Sequence, residues 1–232
     1  MTEALQVVLV PGLVADARFY EAQIPALQRH ADVTIADHTR DESMAGIARR
    51  VLAAVSGRFA LVGHSMGGYA AFEIVRQAPE RVVRLALLDT SARADTPEQG
   101  ENRNRQIAIV REGRYDEIPG LLFPKMVHPS RVEDAALFAQ FREMALGVGG
   151  AAFVRQLTAI MHRADSRATL AAIRCPTLVL VGDGDAVAPP ERAREIAAGI
   201  GGSTLVTVPH CGHLCAIEQP DAVTEALLSW LA

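Results

Sequence analysis

Short apolar runs alternate with amphipathic stretches along most of the chain. The apolar runs lie at residues 5–10, 32–36, 59–63, 82–88, 177–182 and 204–208. Runs of this length are typical of strands buried on both faces of a parallel sheet. The stretches between them carry apolar residues at helical spacing. The helices that this spacing predicts cover residues 16–29, 43–55, 66–78, 190–198 and 222–231. The alternation predicts an α/β fold with a mostly parallel central sheet and helices on both faces.

The alternation breaks at residues 92–168. This stretch contains no strand-like run, and Gly and Pro residues punctuate it. Its amphipathic helix candidates lie at 101–112, 115–122, 131–147 and 150–163. We therefore predict a core formed by residues 1–91 and 169–232, interrupted by a helical insertion at 92–168.

Composition narrows the class of protein. A chain of 232 residues suits one α/β domain, and 50% apolar with 22% charged residues is ordinary globular composition. The net charge is −4 without a basic stripe, so nucleic acid binding is not expected. No apolar segment approaches the roughly 20 residues of a membrane helix, and the N-terminus does not have the pattern of a signal peptide. We expect a cytoplasmic protein that does not bind membranes, and three cysteines do not form a disulfide framework.

The segment Gly63-His64-Ser65-Met66-Gly67 carries the strongest chemical signal. It matches G-x-S-x-G, the nucleophile elbow, and stands between a buried strand and a predicted helix. Glycines two residues either side of the serine allow the tight turn, and the positive end of the helix dipole faces the reaction centre. The motif predicts Ser65 as a nucleophile. The alternative is a glycine-rich turn whose serine only caps a helix.

A serine nucleophile needs a base to take its proton. The segment Pro209-His-Cys-Gly-His213 follows a predicted strand and offers two histidines. We predict His213 as the base, because it follows a glycine in a loop at the carboxyl end of the strand. His210 is the competitor, interpreted as a surface or packing histidine.

The base in turn needs a carboxylate that fixes its tautomer. The segment Val181-Gly-Asp-Gly-Asp185 leaves a buried strand and offers two. We predict Asp185, which lies further from the strand, whereas Asp183 is typical of a turn-shaping residue. Asp89 is a third candidate that could equally cap the start of the insertion.

Metal and cofactor sites are not expected. His210, Cys211, His213 and Cys215 crowd into six residues, but structural zinc sites pair ligands from separated stretches and no second cluster exists. No G-x-G-x-x-G follows the first strand, so a dinucleotide site is not predicted. The cysteines are interpreted as small buried residues.

The chain order Ser65, Asp185, His213 resembles that of the α/β-hydrolase fold superfamily, and the chain outside the insertion is similar to its small bacterial esterase and enol-lactonase-like branch. The resemblance implies a helical cap at the insertion and an oxyanion hole formed by the backbone N–H groups of Leu13 and Met66. One departure concerns the loop after the first strand. The family usually has His-Gly there, whereas this chain has Pro11-Gly12.

These observations predict a serine hydrolase that cleaves a small, mainly apolar carboxylic ester, lactone or thioester through an acyl-enzyme. The same residues would serve carbon–carbon bond hydrolysis, perhydrolysis or acyl transfer, and a non-catalytic small-molecule receptor is a further alternative. Apolar side chains of the insertion are candidates for the substrate pocket, although each is also typical of helix packing. They are Phe123, Met126, Phe141, Met144, Phe153 and Met161.

Overall fold

Six parallel strands form the centre of the molecule. The computed structural model describes residues 5–232, so residues 1–4 of the first predicted core segment lie outside the described residues. The strands are β1 (Gln6–Val10), β2 (Asp32–Ile35), β3 (Phe59–His64), β4 (Val82–Leu88), β5 (Thr177–Gly182) and β6 (Thr204–Val208). They form one sheet in the order β2-β1-β3-β4-β5-β6, and each neighbouring pair is parallel. The predicted α/β class is confirmed.

Helices connect the strands and cover the sheet. The α-helices are α1 (Gln23–Leu27), α2 (Met44–Ala54), α3 (Met66–Gln77), α4 (Pro97–Arg111), α5 (Ile118–Met126), α6 (Ala135–Val148), α7 (Gly150–Met161), α8 (Arg167–Leu170), α9 (Pro190–Gly199), α10 (Cys215–Glu218) and α11 (Pro220–Leu231). Short 3-10 helices lie at Ala17–Tyr20, Pro79–Arg81, Tyr115–Glu117 and Pro129–Arg131.

The connections on either side of β1 run in opposite directions. From β1 the chain passes through α1 to β2, and it then returns through α2 to β3 on the other side of β1. Since such crossovers are right-handed, α1 and α2 lie on opposite faces of the sheet. Helix α2 packs against α3, and α1 packs against α11. The reversal opens a crevice at the carboxyl ends of β1 and β3, where ligands bind in sheets of this kind.

The continuous helix predicted at residues 16–29 is wrong. The structure has the 3-10 helix Ala17–Tyr20 followed by the separate helix α1, which begins at Gln23. Pro25 explains the break, because proline has no N–H and its ring clashes with the carbonyl four residues earlier. In α1, Pro25 lies in the first turn, where its missing N–H has no intrahelical acceptor to lose, whereas a helix from residue 16 would place it in the interior at a cost of about 3 kcal/mol.

Five helices, α4 to α8, lie between β4 and β5, and the described chain has no strand there. Helix α4 begins at Pro97, four residues before its predicted start. Its N-terminus is fixed by a capping box, in which Thr96 accepts from the Gln99 N–H and the Gln99 side chain accepts from the Thr96 N–H. The division into core and cap at residues 92 and 168 stays a prediction.

The helices are short compared with the thickness of a bilayer. Within residues 5–232, no single helix is both long and apolar enough to cross one. Helices α6 and α7 together reach that length and composition, but they meet at a bend of 88°.

Candidate active site

Ser65 lies at the sharp turn between β3 and α3, beside the crevice. Its backbone has φ 51° and ψ −114°, a conformation that is strained for any residue with a side chain. Close packing fixes the turn on both sides. A Cβ atom on Gly63 would lie 2.5 Å from the Gly67 carbonyl oxygen, and one on Gly67 would lie 2.0 Å from the Val10 carbonyl oxygen. Gly63 therefore lets the elbow close on itself, and Gly67 lets it pack directly on β1.

His213 connects the serine to a carboxylate. Its Nε2 lies 2.8 Å from Ser65 Oγ, and its Nδ1 lies 2.8 Å from Asp185 Oδ2. A carboxylate only accepts hydrogen bonds, so the proton is on Nδ1 and the free Nε2 faces the hydroxyl. All three groups are buried, with 7% of Ser65, 1% of His213 and 3% of Asp185 exposed. The arrangement can move a proton from the serine to the imidazole.

The electrostatic environment keeps Asp185 ionised. Burial alone acts to raise the pKa of Asp185, but the charge of His213, its hydrogen bond and the N–H groups of Ala188 and Val187 outweigh burial and lower this pKa. Burial likewise acts to lower the pKa of His213, and the charge and hydrogen bond of Asp185 outweigh it, so the net effect raises the pKa of His213 above 6.5.

The other candidates for the acid and the base do not contact the Ser65–His213 pair through their side chains in this way. Asp89 Oδ1 accepts from the Gly182 N–H at 2.9 Å, and burial followed by the charge of Asp185 raises the pKa of Asp89 to about 8. Asp183 Oδ1 accepts from the Cys211 N–H at 3.1 Å. His210 is exposed in a turn with φ 52°. Of the described carboxylates, it is Asp185 whose oxygen meets the His213 ring nitrogen.

The loop that carries His213 is held by a buried carboxylate. Glu218 Oε1 accepts from the Gly212 N–H at 3.0 Å and from the Leu214 N–H at 3.2 Å. Its other oxygen accepts from the His128 N–H, at 2.8 Å, in the segment after α5. The Met126 carbonyl at the end of α5 accepts from the His213 N–H at 2.8 Å. The helical insertion thus contacts the backbone of His213 directly.

His64, inside the elbow, supports the same loop from the other side. Its Nε2 lies 2.8 Å from the His213 carbonyl oxygen, which requires the proton on Nε2. Burial, followed by the charge of His213, lowers the pKa of His64 to about 3, so the ring is neutral. Its ring stacks on Phe19 with the centroids 4.1 Å apart.

The loop after β1 approaches Ser65 closely. A Cβ atom on Gly12 would lie 3.1 Å from Ser65 Cβ. The Gly12 carbonyl is 3.0 Å from His38 Nε2, so a histidine from after β2 supports the loop that begins with Pro11. Within residues 5–232, the backbone N–H groups of Leu13 and Met66 have no hydrogen-bond acceptor. Both remain free to bind an oxyanion.

The predicted pocket side chains lie on α5, α6 and α7. Five of the six are buried, and Met161 is half-buried. The Phe123 ring packs against the rings of Phe138 and Phe141, with centroids 5.1 and 5.8 Å away, and Phe153 packs against Tyr115 at 5.7 Å. These contacts join the cap helices to one another. A role of these residues in substrate binding stays a prediction.

Comparison with known proteins agrees with this geometry. The profile of the alpha/beta hydrolase family matches residues 7–226. The chain belongs to this family. The structure of a thermophilic esterase from Thermogutta terrifontis, with malate bound, superposes with a TM-score of 0.90 at 32% identity, covering 98% of this chain and 89% of that one. The alpha/beta hydrolase fold and the predicted resemblance to esterases are confirmed.

Two further proteins are similar to this chain. The enol-lactonase from Burkholderia xenovorans shares the fold with a TM-score of 0.89 at 24% identity, over 99% of this chain and 92% of that one. The protein named "Putative carbamate hydrolase RutD" from Klebsiella pneumoniae is 28% identical over 254 residues, covering 97% of this chain and 91% of its own. This alpha/beta hydrolase is therefore a hydrolytic enzyme.

Several supporting residues have no motif in the sequence. His38 and Glu218 act through backbone groups that are distant along the chain, and Gln156 of α7 accepts from the Val14 N–H across 142 positions. Of these three residues, Glu218 alone lies in a segment whose sequence resembles the family, Glu218-Gln-Pro220.

Proposed function

We propose that this enzyme hydrolyses a small carboxylic ester, with Ser65 as nucleophile, His213 as general base and Asp185 as the group that orients His213. The observation that carries the proposal is the pair of 2.8 Å contacts of His213, one to Ser65 Oγ and one to Asp185 Oδ2. The esterase relative at 32% identity supports ester chemistry.

In the first half of the reaction, His213 Nε2 takes the proton of Ser65 as Oγ attacks the ester carbonyl. The oxyanion of the tetrahedral intermediate accepts from the N–H groups of Leu13 and Met66, and each such donor contributes about 3 kcal/mol to the transition state. The imidazolium, stabilised by Asp185, then protonates the leaving alkoxide. An acyl group remains on Ser65, and the alcohol departs.

In the second half, a water molecule takes the place of the alcohol. His213 removes a proton from the water as its oxygen attacks the acyl carbonyl, and the same two N–H groups hold the second oxyanion. Collapse of this intermediate returns the proton to Ser65 and releases the carboxylic acid. The apolar side chains of the cap favour a small, mainly apolar acyl or alkoxy group.

The test uses p-nitrophenyl esters from acetate to long chains, with the Ser65→Ala variant. We expect turnover to fall about a million-fold in the variant, because the three residues act as a unit. Ser56→Ala, an exposed serine in the turn between α2 and β3, is the matched control and should keep full activity. Turnover that survives Ser65→Ala would refute the assignment of the nucleophile.

Carbamate hydrolysis is a second candidate, supported by the similarity to proteins named as carbamate hydrolases. The same nucleophile can attack a carbamate carbonyl. The carbamate nitrogen changes either the leaving group or the group that stays on Ser65. Adding a p-nitrophenyl carbamate to the ester series separates the two. Higher kcat/KM for the carbamate than for every ester would favour this candidate.

A further inference from the structure

Gln156 on α7 is a buried amide placed against the loop after β1. It is fully buried, and its Oε1 accepts from the Val14 N–H at 3.3 Å. Val14 is itself unusual, because a β-branched residue with φ 54° lies in a conformation that such residues avoid. Leu13, the proposed oxyanion donor, is its chain neighbour. The amide of Gln156 therefore lies one residue from the proposed oxyanion hole.

One end of this amide has no partner. Since a backbone N–H only donates, the oxygen of the amide must face Val14, and the nitrogen with its two hydrogens is the end left over. Among the described residues, Gln156 Nε2 is a buried atom without any hydrogen-bond partner. The other buried side-chain atoms without a partner, among the described residues, are amide or carboxyl oxygens and the Nδ1 of the neutral His64. Gln156 Nε2 is the one amide nitrogen among them.

An unpaired buried donor is costly, and native proteins rarely retain one without a reason. The contact with Val14 accounts for the oxygen of the amide but not for its nitrogen. Sites that hydrogen-bond a substrate do contain such groups, because the substrate supplies the missing partner.

Resting on the proposed function, we infer that Gln156 is a specificity-determining residue whose Nε2 donates to an acceptor oxygen of the substrate, a few bonds from the scissile carbonyl. The substrate class is then an ester whose small apolar acyl or alcohol group carries one ether or carbonyl oxygen. The Oε1 contact with Val14 keeps the amide in the orientation that presents its N–H groups to this oxygen.

The test compares substrates that differ by one atom. On the acyl side, p-nitrophenyl butanoate is paired with p-nitrophenyl methoxyacetate, in which an oxygen replaces a methylene group. On the alcohol side, butyl acetate is paired with 2-methoxyethyl acetate. The quantity measured is the kcat/KM of the oxygen-containing ester divided by that of its methylene analogue. It is determined for each pair in the wild type and in Gln156→Leu. Comparing variants removes the intrinsic difference in reactivity between the two esters.

We expect Gln156→Leu to lower the ratio of one pair by roughly three- to tenfold, the value of one neutral hydrogen bond. The pair that responds identifies the side of the substrate that carries the oxygen. An equal loss for both members of both pairs would mean that Gln156 only holds Val14, and it would overturn the inference.

Two further variants separate specificity from folding. Gln156→Met keeps the unbranched length of the side chain, places a weakly accepting sulfur near Val14 and removes the donor, so its ratio should also fall even where Gln156→Leu is poorly folded. Gln140→Leu, on the exposed side of α6, is the control for a lost cap glutamine and should leave both ratios unchanged. Ser65→Ala tests the proposed function separately. If turnover depends on Ser65 but the ratios do not depend on Gln156, the proposed function stands and only the role of Gln156 is refuted.

Discussion

Two buried carboxyl groups near His213 differ in their charge. Asp185 accepts from the His213 ring and from the N–H groups of Val187 and Ala188, which together hold it ionised. Asp89 accepts from one backbone N–H, and its pKa of about 8 leaves it protonated at neutral pH. Of these two carboxyl groups, Asp185 is the one that is ionised and in contact with the His213 ring, so it is the one placed to stabilise an imidazolium at neutral pH.

Asp185→Asn should therefore lower kcat by roughly ten-thousand-fold, because an amide in contact with Nδ1 favours the wrong tautomer of the base. Asp89→Asn should lower kcat by less than tenfold, since Asp89 is already neutral and an amide oxygen can still accept from the Gly182 N–H. Ester turnover of both variants checks the assignment. A severe loss in Asp89→Asn with a mild one in Asp185→Asn would reverse it.

The pH dependence of activity follows from His213. The base must be neutral in the free enzyme, and its pKa in the folded protein is raised above 6.5. The kcat/KM should therefore increase with pH along a limb whose midpoint lies above 6.5, and fall as the pH is lowered through that value. A pH–rate profile between about pH 5 and pH 9 measures the midpoint. His210→Gln should leave it unchanged, and a midpoint below 6.5 would contradict the geometry.

At the scale of elements, the turn between β6 and α10 depends on one side chain. Glu218 satisfies the N–H groups of Gly212, Leu214 and His128, and only 4% of it is exposed. The last of these N–H groups belongs to the cap, so a single carboxyl group joins the histidine loop to the segment after α5.

Glu218→Ala leaves the N–H groups of Gly212 and His128 without an acceptor, whereas the Leu214 N–H still donates to the Met126 carbonyl at 3.1 Å. We expect the free energy of unfolding to fall by at least about 2 kcal/mol, since each buried donor without a partner costs about 1–3 kcal/mol. The kcat should fall as well, because the loop carries His213. Urea denaturation measures the stability, with Glu225→Ala on the exposed side of α11 as control. Equal stability of the two variants would show that water or another group replaces the carboxyl.

The sequence predicts elements best where a short apolar run or a regular apolar stripe marks them. All six strands were recognised because each is an apolar run, and α2 because Ser43 caps a regular apolar stripe. The start of α4 was missed because its first turns are polar on every side, so no stripe marks the Thr96 cap. The helix at 16–29 was predicted from apolar spacing, which does not register the clash at Pro25.

The residues of the candidate site also differ in how well the sequence predicts them. Ser65, Asp185 and His213 stand in short motifs at the ends of strands, and the parallel sheet brings such ends together. His38 and Gln156 are single polar residues in ordinary helical or loop sequence. Each acts on the backbone of the loop after β1, from 26 and 142 positions away. Nothing local in the sequence encodes contacts of that range.

At the scale of the molecule, a buried ion cluster inside the helical insertion holds an arginine that contacts the core. Asp95 lies between Arg163 at 2.6 Å and Arg103 at 2.5 Å, and the side chains of Asp95 and Arg163 are 4% and 6% exposed. The Arg163 guanidinium also lies over the Tyr69 ring of α3, 4.2 Å from its centroid. One arginine at the end of α7 thus connects the insertion to the helix that follows Ser65.

Arg163→Met removes the charge but keeps much of the volume. We expect it to lower the free energy of unfolding by about 3 kcal/mol, the lower end of the range for breaking a buried pair, because Arg103 still neutralises Asp95. Arg167→Met, which breaks an exposed pair with Asp165, should cost less than about 1 kcal/mol. Urea denaturation of the two variants compares them. Similar losses would mean that the cluster does not stabilise the insertion.

The contact between the Met126 carbonyl and the His213 N–H constrains how this scaffold can be re-engineered. Exchanging the insertion for that of a relative is a natural route to new selectivity, because the strands would stay in place. In this chain, however, the graft would also replace the backbone segment whose carbonyl accepts from the N–H of His213, the proposed general base. A chimaera should therefore keep residues 126–128 from the recipient and take only the helices on either side of them.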